Sequence, residues 1–185
     1  MGRLLIKFGT KSLLGKQGRT KGRLDQDIFS SVAGQVARLQ DDGVDVAIVS
    51  SGAIKAGKES LTRLGVNPDL LKLEKKDLAG IVARHLLNRL GHAFGLHQRS
   101  VAQVWVTFAN WECLAERRSI RSSILRYHYC GIIPIINEND VVSDKEIKLM
   151  ERGISENDQL ARMIAELIEA DAVLFLTAAG GVYKD

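Results

Sequence analysis

An open, mostly parallel α/β sheet with helices on both faces is the fold class this sequence predicts. Three observations predict it: five short apolar runs rich in β-branched residues, helical patterns between them long enough to cross from strand to strand, and small glycine-containing turns directly after the runs. The runs are Leu4 to Phe8, Val44 to Val49, Val101 to Val106, Ile132 to Ile136 and Ala172 to Leu176, each of a length that suits a strand buried on both faces. Ile28, Val32, Val36 and Leu39 mark a first helix ahead of the Asp41-Asp42-Gly43 break. Leu78, Ile81, Val82, Leu86, Leu90 and Phe94 mark a longer one ending near Gly95. Leu160, Met163, Ile164, Leu167 and Ile168 follow the spacing of one helix face, with Asn157 and Asp158 as potential caps at its start. Trp111 to Tyr129 is a less regular helix. No internal repeat or linker divides the chain, so one domain is expected.

Composition narrows the function classes. The chain of 185 residues has a net charge of +4, is 45% hydrophobic and 26% charged, and so has the mix of an ordinary well-cored domain. Its two prolines and seventeen glycines form no repetitive tract, which excludes collagen-like and disordered readings. No window approaches eighteen consecutive apolar residues and the N-terminus carries no signal-like region, so no membrane span and a cytoplasmic location are expected. Cys113 and Cys130 form no CxxC, and His85, His92, His97 and His128 form no HExxH; both cysteines are expected to be reduced, core-type residues, and no protein metal site is predicted.

Charge is uneven. Met1 to Leu24 holds seven basic residues and no acid, while Glu138 to Asp185 holds eleven acids and five bases. Glycines interleave the basic segment and no aromatic platform accompanies it, so a small anion such as a nucleotide phosphate fits it at least as well as nucleic acid, which stays a minor reading through Lys11 to Arg23.

In sheets of this kind ligands gather beyond the carboxyl ends of the strands. The first strand is followed by Gly9-Thr10-Lys11-Ser12 and the second by Ser51-Gly52-Ala53-Ile54, turns whose backbone N–H groups can face an anion, with a helix expected to start near Ala53. Neither fits GxxxxGK[ST] or GxGxxG, and on spacing alone each is a strand-to-helix connection of the sort many folds use. The fourth run delivers Asn137-Glu138-Asn139-Asp140, either an Asx-rich turn or a cradle for a ligand with ammonium and carboxylate groups. Asp158 reads first as a helix-start carboxylate favoured by the dipole.

Taken together, Lys7-x-Gly9-Thr10, Ser51-Gly52-Ala53-Ile54-x-Ala56-Gly57, Pro134-x-Ile136-Asn137-Glu138-Asn139-Asp140, Asn157-Asp158-x-Leu160-Ala161 and Leu176-Thr177-x-x-x-Gly181-Val182-Tyr183 resemble the glutamate 5-kinase (gamma-glutamyl kinase) branch of the amino acid kinase superfamily. The blocks run in the family's order from residue 3 to residue 185. KxGT recurs across the superfamily, whereas Ile-Asn-Glu-Asn-Asp is close to diagnostic for the branch.

The resemblance implies transfer of the ATP γ-phosphoryl group to the side-chain carboxylate of L-glutamate, the first step of proline biosynthesis, with Mg2+ carried by the nucleotide phosphates. By the same resemblance, Lys7 steadies the transferring phosphoryl group and Asp158 organises the catalytic lysines. Gly9, Thr10 and Thr177 meet the nucleotide. Ser51, Asp140 and Asn157 bind glutamate, with Gly52 and Ala53 adding backbone contacts. It also implies a homo-oligomer with no nucleic-acid or membrane partner. The family's pattern continues beyond Asp185, so the chain is expected to be the N-terminal, substrate-binding portion of the kinase domain, ending before most of the nucleotide-binding half and leaving an unpaired sheet edge with exposed apolar surface. Three departures weaken the nucleotide side: Ala178 where the family has Asp, Ala83-Arg84 where it has Gly-Gln, and Ser155-Glu156 where it has Gly-Asp. They leave open an alternative, a non-catalytic glutamate-binding or interaction module derived from such a kinase.

Overall fold

The structure is a computed structural model and describes residues 2–13, 24–50, 61–62, 65–67, 72–142 and 156–177. The apolar runs become strands β1 (Arg3–Phe8), β2 (Asp45–Ser50), β3 (Val101–Val106), β4 (Ile133–Glu138) and β5 (Ala172–Leu176). They form one sheet in the order β3-β4-β2-β1-β5, every pair parallel. Parallel neighbours need crossover segments, and the described helices are α1 (Gln26–Asp41), α2 (Lys75–Gly95), α3 (Phe108–Glu112), α4 (Leu114–Tyr129) and α5 (Glu156–Ile168).

Strand alternation divides the core in two. On one face Ile6, Phe8, Val46, Ile48, Ile133 and Ile135 meet Phe29 and Val36 of α1 and Leu86, Leu90 and Phe94 of α2. On the other, Leu5, Ala47, Val49, Val104, Val106 and Ile136 meet Ile124 of α4 and Leu160, Ala161, Ile164 and Ile168 of α5. Helices therefore cover both faces, as the sequence pattern predicts.

Local chemistry sets the helix ends. The Asp25 carboxylate accepts the Asp27 N–H at 3.1 Å to open α1, and the predicted break after it is made by Gly43, at φ +79, with the Val44 N–H returned to the Leu39 carbonyl at 2.9 Å. At the start of α2 the Asp77 carboxylate accepts the Glu74 N–H at 2.9 Å.

Several boundaries differ from the sequence expectation. Residues 111 to 129 hold two helices, because Cys113 is extended (φ −93, ψ 110) and separates α3 from α4. Both cysteines are free, and both are exposed rather than core-type: each caps an end of α4, where the chain turns at the surface. Strand β4 runs two residues further than predicted, so Asn137 and Glu138 are buried strand residues, not the first residues of a turn. Asn157 and Asp158 lie within the first turn of α5, which begins at Glu156, and are not its caps. On the outer side of β1, the edge strand β5 leaves Val173, Leu174 and Phe175 exposed, the apolar edge expected from the sequence.

Candidate active site

The carboxyl ends of β1, β4 and β5 and the N-terminus of α5 converge at one end of the sheet. Lys7 alternates with Leu5 and so points toward the face covered by α5. Helix α5 is drawn onto that face by its buried stripe of Leu160, Ala161, Ile164 and Ile168. Asp158 stands one turn before Ala161, at the lip of the stripe, and packing of the stripe carries its carboxylate over the end of β1. There Lys7 Nζ lies 2.5 Å from Asp158 Oδ1, with the lysine side chain 11% exposed and the aspartate 36%. The carboxylate thus has a nearly buried ammonium on one side and the positive end of the α5 dipole on the other.

The turn after β1 is tied to β5. The Gly9 N–H donates to the Leu176 carbonyl at 3.1 Å, and the Gly9 carbonyl accepts from the Ser12 N–H at 3.0 Å and the Ser12 hydroxyl at 2.6 Å. Of the turn N–H groups that the sequence offers to an anion, that of Gly9 is taken up in extending the β1–β5 ladder. Glycine suits the place for another reason: a Cβ there would stand 3.4 Å from the Leu176 carbonyl oxygen. Thr10 opens a short 3-10 turn (Thr10–Leu13), and Thr177, exposed, follows directly on Leu176, so Gly9, Thr10 and Thr177 gather on the β5 side of Lys7.

On the β4 side, Asp140 is half-buried in a tight turn held by the Asn139 N–H on the Val106 carbonyl (2.8 Å) and the Val142 N–H on the Asn139 carbonyl (3.1 Å). Asn157, half-buried, precedes Asp158 in α5. Ser51, Gly52 and Ala53 lie outside the described residues; Ser50, the last residue of β2, is fully buried beside Phe8. The predicted residues that are described thus sit at one end of the sheet, with Lys7 and Asp158 in direct contact.

One residue escaped the sequence reading of roles. Glu138 is only 8% exposed, and because Val49 pairs with both Lys7 and Ile136, alternation puts Glu138 on the same face as Lys7, one step nearer the strand ends. Reading the period-2 pattern of Ile136 through to Glu138 exposes this placement; reading the run as a turn hides it. Among the described residues no cluster of three or more His, Cys, Asp or Glu side chains is gathered as a metal would require, and no helix is long and apolar enough to cross a membrane. The donor set at Lys7, one ammonium beside a helix N-terminus, suits a phosphate group.

Comparison with known proteins accords with this geometry. The family model described as the amino acid kinase family matches residues 2–185. A glutamate 5-kinase of Syntrophus aciditrophicus is 37% identical over 185 residues, covering 98% of this chain and 44% of that protein. One of Dehalococcoides mccartyi is 36% identical over 181 residues, covering 98% of this chain and 46% of that protein. One of the more distant relatives, from Methanosarcina mazei, is 32% identical over 185 residues. The chain therefore spans a little under half the length of the curated relatives it matches. The crystal structure of a UMP kinase from Bacillus anthracis superposes with a TM-score of 0.62 at 15% identity, covering 99% of this chain and 68% of that one, a likeness of fold.

Proposed function

The chain belongs to the amino acid kinase family, and from that premise we propose that it is the glutamate-binding portion of a glutamate 5-kinase, which phosphorylates the side-chain carboxylate of L-glutamate to L-glutamyl 5-phosphate at the start of proline synthesis. The observation that carries the reading is the contact of Lys7 with Asp158 across the strand ends. Support comes also from relatives bearing that enzyme's name at 32% to 37% identity along 98% of the chain.

ATP with Mg2+ on its phosphates supplies the activated phosphoryl group; the chain's own residues position and neutralise. Transfer between two anions needs fixed positive charge and little covalent help. Lys7 supplies the charge, and Asp158 holds its ammonium in place against the flexibility of a four-carbon stem. The acceptor carboxylate is already ionised at neutral pH, given a reference pKa of about 4.3, so Asp158 is needed for positioning and not as a base. Asp140 and Asn157 offer a carboxylate for the ammonium of glutamate and an amide for its α-carboxylate, and the same reading assigns Ser51, Gly52 and Ala53, outside the described residues, to glutamate. Gly9 keeps the turn close to β5, and Thr10 and Thr177 are assigned to the nucleotide. A cytoplasmic location and assembly into a homo-oligomer belong to the same proposal.

The test is glutamate-dependent ADP release by the parent, Lys7→Ala and Asp158→Asn. Losses of about a hundredfold or more in kcat are expected for Lys7→Ala, in line with the removal of a group stabilising transition-state charge. Equal rates in all three would sink the assigned roles. Glutamate binding by calorimetry without turnover in the parent would instead favour the non-catalytic module, which Ala178 in place of the family's aspartate motivates.

A further inference from the structure

The outer face of α4 carries a second polar feature unconnected with Lys7. A shallow depression of about 380 Å³, open over most of its mouth, is lined by Arg118, Arg121, Ser122, Leu125, Arg126 and Tyr129. Helix α4 holds four arginines against one acid, Glu116. Its inward stripe of Ile120, Ile124 and Tyr127 is committed to the core, so Ser122, Leu125 and Tyr129 run along the opposite side.

Within the depression the guanidinium groups are not equivalent. Arg121 is anchored: its Nε donates to the Leu167 carbonyl at 2.8 Å and a terminal nitrogen to Glu169 at 2.9 Å. Among the described residues neither Arg118 nor Arg126 has a carboxylate partner; Arg126 reaches only the Ser123 hydroxyl, at 3.4 Å. Two guanidinium groups without a carboxylate partner among the described residues flank a serine hydroxyl and a leucine, and the exposed Tyr129 ring stands at one end.

We propose that this depression is a binding site for a small elongated polyanion of the polyphosphate class, separate from the Lys7 crevice. At about 1.5 Å rise per residue, Arg118 and Arg126 stand roughly 12 Å apart along the helix, so a compact monoanion meets one of them and a chain of phosphates meets both. Arginine forks match phosphate oxygens in pairs, so Arg118 and Arg126 supply the charge, while Arg121, already paired with Glu169, borders the site without adding net charge. Tyr129 offers a ring face for the planar part of a nucleoside polyphosphate, whereas inorganic polyphosphate leaves it unused. The two sites are distinct because Asp158 and Leu167 mark opposite ends of α5, about 14 Å apart.

The experiment titrates inorganic tripolyphosphate into the 185-residue chain at constant ionic strength, by calorimetry and by NMR shifts of the Arg118, Arg126 and Tyr129 resonances. Binding is expected to survive Lys7→Ala and to weaken at least tenfold in Arg118→Ala/Arg126→Ala, exposed substitutions that leave the fold intact. Parallel titrations with ADP distinguish the source of the phosphates: a gain over tripolyphosphate that Tyr129→Ala removes identifies a nucleotide. Binding lost in Lys7→Ala with no shift at Tyr129, equal binding by sulfate, or unchanged binding in the double variant would each overturn the proposal. Affinity that appears only with an oligonucleotide and grows with its length would replace it with a nucleic-acid surface.

Discussion

Lys7 and Asp158 show how much two side chains can say once their surroundings are known. Either alone is unremarkable: a lysine near a strand end, an acid in the first turn of a helix. At 2.5 Å from each other, with the lysine 11% exposed and the aspartate 36%, they form a partly sheltered charge pair. His128 is informative at the other end of the sheet. Its ring is 7% exposed, and Nδ1 stands 3.9 Å from the Asp45 carboxylate. Burial pushes the imidazole below its usual 6.5, Asp45 opposing. Because the folded chain resists a proton that the unfolded chain accepts, stability is full above pH 6.5 and falls as pH drops below it, by at most about 1.4 kcal/mol per pH unit. Denaturant unfolding at pH 7.5, 6.5 and 5.5 should show a steeper acid loss in the parent than in His128→Gln. Parallel curves would count against the buried neutral imidazole.

Among the elements, α5 and the turn after β4 hold most of the residues that the proposed function uses. Helix α5 is held by four buried apolar residues, so truncating Ile164, fully buried, should loosen the seat of Asp158 as well as the core. Ile164→Ala is expected to cost about 2–5 kcal/mol by denaturant melt and to lower kcat if the fold survives. A loss under 1 kcal/mol would mean that α5 is not anchored as described. The turn bearing Asp140 leans on α2, where a Cβ at Gly80 would stand 3.1 Å from Val141 Cγ2. Gly80→Ala gains roughly 1 kcal/mol of helix propensity but presses on that turn. The expected result is a raised KM for glutamate with stability kept or increased, and return toward the parent KM in Gly80→Ala/Val141→Ala. An unchanged KM in the single variant would detach the turn from substrate binding.

For the molecule entire, the open flank at β5 dominates. Val173, Leu174 and Phe175 are exposed on an edge strand whose five residues include neither charge nor proline, the usual protections against edge-to-edge pairing. The isolated chain should associate as concentration rises, and sedimentation velocity should find Leu174→Lys shifted toward the monomer with unchanged far-UV circular dichroism. Identical sedimentation of the two proteins would place any self-association elsewhere.

Much of this was legible in the linear chain. The five strands and the α1, α2 and α5 patterns follow from period and β-branching, local properties that each segment carries with it. The positions of Lys7, Asp140, Asn157 and Asp158 at strand and helix ends were legible too. What the chain alone withheld was adjacency: the strand order β3-β4-β2-β1-β5, the meeting of Lys7 with an aspartate 151 positions away, the burial of Glu138 on the same face, and the surfacing of both cysteines. Local patterns state which face of a segment is apolar and say nothing of which partner covers it. That choice is made by filling both faces of the sheet at once, and filling them is what carries α5, and Asp158 with it, over the end of β1.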